Sequence, residues 1–335
     1  MRPTVTDMSN ADLVLEGGGV KGIALAGAVQ AFDAAGYRFP RVAGSSAGAV
    51  VASLVAALQH AGEPVSRLQE IVRTVDYRRL RDGTGIGRVP LVGPALSLLV
   101  RDGLYDGRYL EDFLTGVLGE LGVRTFADLR IPPDHEAAHG LPPERAFSLV
   151  VTVSDLSRRR LVRIPWDLPQ YALEELPVAR AVRASAAIPL FFRPVRVPTP
   201  NGPATWVDGG LLSNFPIALF DRAGSADPRW PTFGVRLVSP PATPPVTRRV
   251  RGPVQVGLAA LDVVLTDQGN AYLDDPCTVA RTVFVPSDDV SIIDFDIDAA
   301  TTERLRVAGQ QASEAFLATW DFADFRRRCR PRVTA

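Results

Sequence analysis

Short apolar runs of strand length alternate with longer alanine- and leucine-rich segments along most of the 335 residues. The first run, Leu13-Val14-Leu15, ends at Gly17-Gly18-Gly19 and leads into an alanine-rich stretch over 23–35, the pattern of strand, tight glycine loop and helix. Residues 39–43 read as a second strand, broken by the small-residue turn Gly44-Ser45-Ser46-Ala47-Gly48, and 49–58 have the uniform apolarity of a buried helix. Further strands are predicted at 147–153, 161–164, 205–207, 232–238 and 279–285, with helices near 178–187, 254–266 and 301–320. This alternation predicts an α/β fold, a three-layer α/β/α sandwich with a mostly parallel central sheet.

Two interruptions punctuate the alternation. Residues 65–120 are helical and apolar by turns and form an insert within a single domain over 10–330. The apolar run at 89–100 inside it has two readings, a lid or acyl-chain wall and plain core packing. Residues 132–143 and 239–253 are proline-rich and read as surface loops.

Composition narrows the classes of function. Hydrophobic residues make up 46% and charged residues 22%, with 37 basic side chains against 37 acidic ones, so the basic excess of a nucleic-acid binder is missing. Residues 1–11 lack the apolar centre of a secretory signal, and no stretch approaches the ~18 apolar residues of a membrane span. A cytoplasmic protein is expected. Cys277 and Cys329 are too few for a disulfide framework and have no metal-ligand spacing, so both are expected to be reduced thiols. Lys21 is the only lysine in the chain.

Candidate chemistry lies in three places. Gly17-Gly18-Gly19-Val20-Lys21-Gly22 fits the G-x-G-x-x-G spacing of a dinucleotide loop, but the expected carboxylate about 20 residues on is missing. No Lys-Ser or Lys-Thr follows the glycines, which removes a P-loop. Free N–H groups at the start of a helix can instead hold an oxyanion. Gly44 and Gly48 flank Ser46 in a G-x-S-x-G elbow, where small neighbours are needed at a crowded strand-to-helix corner. Ser45 competes with it, but only Ser46 has a glycine two positions away on each side. Asp208-Gly209-Gly210 follows another short apolar run, and by itself reads first as a strand-ending turn. A Ser-acid-His order needs a histidine after the acid, yet His60, His135 and His139 all precede Asp208.

In that order and spacing the three blocks resemble the signature blocks of the patatin-like phospholipases, and Ala184-Ser185-Ala186-Ala187-Ile188-Pro189-Leu190-Phe191-Phe192-Arg193-Pro194 resembles the family's intermediate block. The similarity runs from about residue 12 to residue 240, with a weaker likeness in the C-terminal helix. The resemblance implies hydrolysis of fatty-acyl esters of glycerophospholipids by a Ser46–Asp208 dyad. Ser46 would be the nucleophile, Asp208 the proton acceptor, and the N–H groups of Gly17, Gly18 and Gly19 the oxyanion hole. Lys21, Gly22, Gly44, Gly48, Gly209 and Gly210 would support them. It implies no metal and no cofactor, a phospholipid or other acyl-ester substrate, peripheral contact with a membrane and no nucleic acid. Oligomeric state has no signal in the sequence. Other readings are a soluble carboxylesterase or thioesterase on short acyl groups, and a non-catalytic lipid-binding protein of the same fold.

Overall fold

The computed structural model describes residues 9–82, 103–138, 140–222, 228–238, 250–252, 256–257, 259–260, 263–264, 275–287, 290, 292 and 294–329. The expectations for 89–100, for His139, for most of the helix near 254–266 and for most of the 239–253 loop lie outside these residues.

The main sheet has eight strands: β1 (Ser9–Leu15), β2 (Tyr37–Gly44), β4 (Leu149–Asp155), β5 (Arg160–Ile164), β7 (Val195–Val197), β8 (Ala204–Asp208), β9 (Thr232–Val238) and β10 (Thr282–Pro286). Their order is β10-β9-β1-β2-β4-β8-β7, with β5 also paired to β4. Neighbours from β10 to β4 are parallel, while β5, β8 and β7 join antiparallel. Strand β4 is buried at every position, because both faces of a central strand are covered. The short strands β3 (Gly103–Tyr105) and β6 (Leu190–Phe192), which the apolar pattern does not announce, form a separate parallel pair.

Alternation along β9 separates the two faces of the sheet. Phe233 stacks on Phe32 of helix α1 (Gly22–Ala34) with ring centroids 4.9 Å apart, and meets Phe316 and Trp320 from the C-terminal part of the fold. Gly234, the next residue, lies under Phe215 and Ile217 on the opposite side. Helices α2 (Ala47–His60) and α3 (Arg67–Thr74) pack with α1. They are followed by α4 (Arg108–Glu120), α5 (Val178–Ser185), the single turn α6 (Gly210–Ser213) and α7 (Pro276–Ala280). Last come α8 (Ala299–Leu317) and α9 (Phe322–Cys329). Helices α1 and α8 meet backbone to backbone: a Cβ on Gly27 would sit 1.9 Å from the Arg306 carbonyl oxygen, and one on Gly309 1.8 Å from that of Ala24.

Two expectations change. The strand placed at 279–285 starts only at Thr282, because the Asp275 carboxylate accepts the N–H groups of Cys277 and Thr278 and, with Pro276 at the first turn, starts helix α7. Cys277 and Cys329 are not separate thiols. They form a disulfide with Cα atoms 5.5 Å apart, joining α7 to the last residue of α9. Their separation of 52 residues hides this proximity in the sequence, since only the return of the C-terminal helices to the sheet edge creates it.

Candidate active site

Strand β2 ends at Gly44 and helix α2 begins at Ala47, which leaves Ser45 and Ser46 to make the corner between them. Ser46 takes φ 52° and ψ −122°, a conformation rare for a residue with a side chain and held only where the surroundings enforce it. The corner is crowded: a Cβ on Gly48 would lie 2.3 Å from the Leu15 carbonyl oxygen. The two serines have different fates. Ser45 is fully buried, with its hydroxyl donating to the Ser213 carbonyl at 2.6 Å and lying 2.5 Å from the Thr152 hydroxyl. The Ser46 hydroxyl donates to Asp208 Oδ2 at 2.7 Å.

Asp208 ends β8, and its side chain is buried at 1% exposure. Its other oxygen, Oδ1, accepts the Gly210 N–H at 2.7 Å. Burial raises its pKa to about 7, against the opposing pull of the hydrogen bonds from Ser46 and Gly210. A carboxyl poised there is ionised often enough at neutral pH to take a proton, and basic enough to hold it.

The glycine loop comes next to this pair. Gly17 is clamped by Asn214: its N–H donates to the Asn214 carbonyl at 3.0 Å, and its own carbonyl accepts from Asn214 Nδ2 at 3.2 Å. Gly17 N–H is therefore engaged, whereas the N–H groups of Gly18, Gly19 and Ala47 have no acceptor among the described residues. Glu16, just before the loop, is buried with Arg236; its carboxylate accepts from Arg236 Nε at 3.1 Å and from the Leu237 N–H at 2.6 Å. Burial pushes the Glu16 carboxyl up to about 7 against the pull of Arg236. Lys21 lies close enough to contribute in the same direction as Arg236.

Neither described histidine serves Ser46. His60 is at the far end of α2, roughly 20 Å along the helix axis from the elbow at 1.5 Å per residue. His135 Nδ1 accepts the Ala137 N–H in its own loop. Among the described residues no group of three His, Cys, Asp or Glu side chains is arranged to hold a metal, and no helix is long and apolar enough to cross a membrane.

Ser46, Gly19 and Gly22 open onto an apolar cavity of about 100 Å³. Ala47, Val50, Val51 and Leu54 of α2 form one wall, and Val72, Val75, Leu110 and Phe113 from the described parts of the insert form another. Ile188, Phe192 and Phe295 complete it. The structure brings together Ser46, Asp208 and the glycine loop, which the sequence singles out as candidates, and adds Asn214, Ser185 and the Glu16–Arg236 pair, to which sequence reasoning assigned no part. The unusual stretch Leu211-Leu212-Ser213-Asn214 was the only local signal for the first of these.

Residues 13–221 match the family model described as patatin-like phospholipase. Over 314 residues the chain is 35% identical to the uncharacterized protein YqhO of Bacillus subtilis, covering 93% of this chain and 99% of that protein. It is 27% identical over 317 residues to the uncharacterized NTE family protein Mb2594 of Mycobacterium bovis, covering 90% of this chain but 46% of that longer protein. Among solved structures, VipD from Legionella pneumophila is similar in fold, with a TM-score of 0.51 at 19% identity over 94% of this chain and 67% of that one. On the family match, which spans more than half of its length, the chain belongs to the patatin-like phospholipase family.

Proposed function

We propose that the protein is a serine acyl hydrolase of the phospholipase A type, cleaving fatty-acyl esters of glycerophospholipids with Ser46 as nucleophile and Asp208 as its base. The observation that carries this reading is the 2.7 Å hydrogen bond from the Ser46 hydroxyl to a buried Asp208 carboxyl, at the mouth of an apolar cavity. Ser46 Oγ attacks the ester carbonyl carbon while its proton passes to Asp208 Oδ2. The oxyanion that forms is met by the N–H groups of Gly18 and Gly19, joined by Ala47 at the positive end of α2. Collapse breaks the ester bond, and the departing alcohol takes the proton from Asp208. Water then gives a proton to Asp208 and attacks the acyl-enzyme, and Ser46 recovers its proton as the fatty acid leaves. Each oxyanion donor in such a site contributes about 3 kcal/mol to the transition state, which offsets the weakness of a carboxylate as base.

The cavity volume of about 100 Å³ favours one further reading, a carboxylesterase or thioesterase on short acyl groups. Hydrolysis of mixed phospholipid vesicles, beside a chain-length series of p-nitrophenyl esters, separates the two. Release of fatty acid and lysophospholipid supports the phospholipase reading. Activity confined to the shortest esters replaces it with the second.

A further inference from the structure

The segment running from the last turn of α5 to Pro194 is unusual in sequence, and the proposed dyad uses none of its side chains. It nevertheless touches both members. The Ser46 N–H donates to Ser185 Oγ at 2.9 Å, the Gly209 N–H donates to the Ser185 carbonyl at 3.1 Å, and the Asp208 N–H donates to the Ala187 carbonyl at 2.9 Å. Ser185 is fully buried and does not line the apolar cavity.

We propose that Ser185 is the positioning residue of the nucleophile: its buried hydroxyl accepts the Ser46 N–H and holds the elbow in the conformation that aims Ser46 Oγ at Asp208. The physical argument rests on what the elbow needs. At φ 52° and ψ −122° the Ser46 backbone is in a region that relaxes unless something restrains it. Its N–H is buried at the corner and requires an acceptor. The Ser185 side chain supplies that acceptor, while the main chain of the same segment fixes the height of the Asp208 turn. One rigid strip thus sets nucleophile and base against each other. Alanine at 185 leaves the strip in place but removes the hold on Ser46.

This role rests on the proposed function. Its test is the rate at which a fluorophosphonate modifies Ser46 in the full-length protein, measured against pH for the wild type, Ser185→Ala and Ser185→Cys, with melting curves alongside. The cysteine variant fills the site with a larger side chain that is a weaker acceptor, so it serves if the alanine variant, which leaves a gap, does not fold. Both variants are expected to label about tenfold or more slowly, as loss of one buried hydrogen bond requires. The acidic limb of the profile is expected to move to higher pH, because the Ser46 hydroxyl no longer reaches Asp208 and stops favouring its ionised form. A purely structural role would lower the melting temperature without moving that limb. Wild-type rate and an unmoved limb in the folded variants overturn the role of Ser185 alone. A wild-type protein that is not modified at Ser46 overturns the proposed function, and this role with it.

Discussion

Asp208 titrates where the proposed chemistry needs it, and the cause is burial in place of any charged neighbour. Only its ionised form can accept the Ser46 proton, so kcat/KM is expected to rise with pH through an acidic limb near pH 7. Flat activity between pH 5 and 8 would exclude Asp208 as the base. The same shift affects stability. The folded protein holds a proton on Asp208 up to about pH 7, while the unfolded chain releases it near 3.8. Stability is therefore lost as pH rises from about 4 to about 7. Asp208→Asn removes this loss: its advantage over the wild type is expected to be roughly 2–3 kcal/mol larger at pH 8 than at pH 5, read from denaturant melts. Glu16 titrates in the same window but is present in both proteins, so the comparison isolates Asp208. Ser46 and Asp208 were legible as candidates because each stands in a motif of recognisable local spacing. Asn214 and Ser185 were not, since Asn214 meets Gly17 across 197 residues and Ser185 meets Ser46 across 139.

At the scale of elements, the elbow works because α2 starts against the end of β1. Gly48 allows that contact, and the carbonyl that a methyl group there would strike belongs to Leu15, two residues before the glycine loop. Gly48→Ala is expected to destabilise the protein by about 1–3 kcal/mol and to slow Ser46 modification, because the strain falls on the loop and the nucleophile together. Wild-type stability and reactivity in this variant would show the corner to be looser than its geometry indicates. Most elements were legible in the hydrophobic pattern, since β1, β2, β4 and β9 each carry a short apolar run beside a glycine-rich or polar turn. Strands β3, β6 and β7 have only three residues each, too short to establish a period, and the first two pair only after the chain has folded back. The start of β10 was misjudged because a capped helical turn at Asp275-Pro276 took the first residues of its apolar run.

At the scale of the whole molecule, the C-terminal part closes one side of the sheet. Helix α8 packs along α1, Phe316 and Trp320 stack on each other with centroids 5.4 Å apart, and both meet Phe233. The disulfide between Cys277 and Cys329 fastens this unit at its end. Closing a loop with a separation of 52 residues is worth about 4 kcal/mol of chain entropy. Cys329→Ser, or reduction of the wild type, is expected to lower the melting temperature without altering the rate of Ser46 modification at 25 °C, because the bridge touches none of the site residues. Two free thiols by alkylation and mass in the unreduced protein would contradict the bridge.

The central claim is that one serine and one carboxylate, without histidine, make the reactive pair, and a fluorophosphonate probe tests it most directly. Peptide mass analysis of the modified protein is expected to place a single adduct on Ser46, absent from Ser46→Ala and formed at least about a hundredfold more slowly in Asp208→Asn. An adduct on another residue, or an undiminished rate in folded Asp208→Asn, would contradict the dyad.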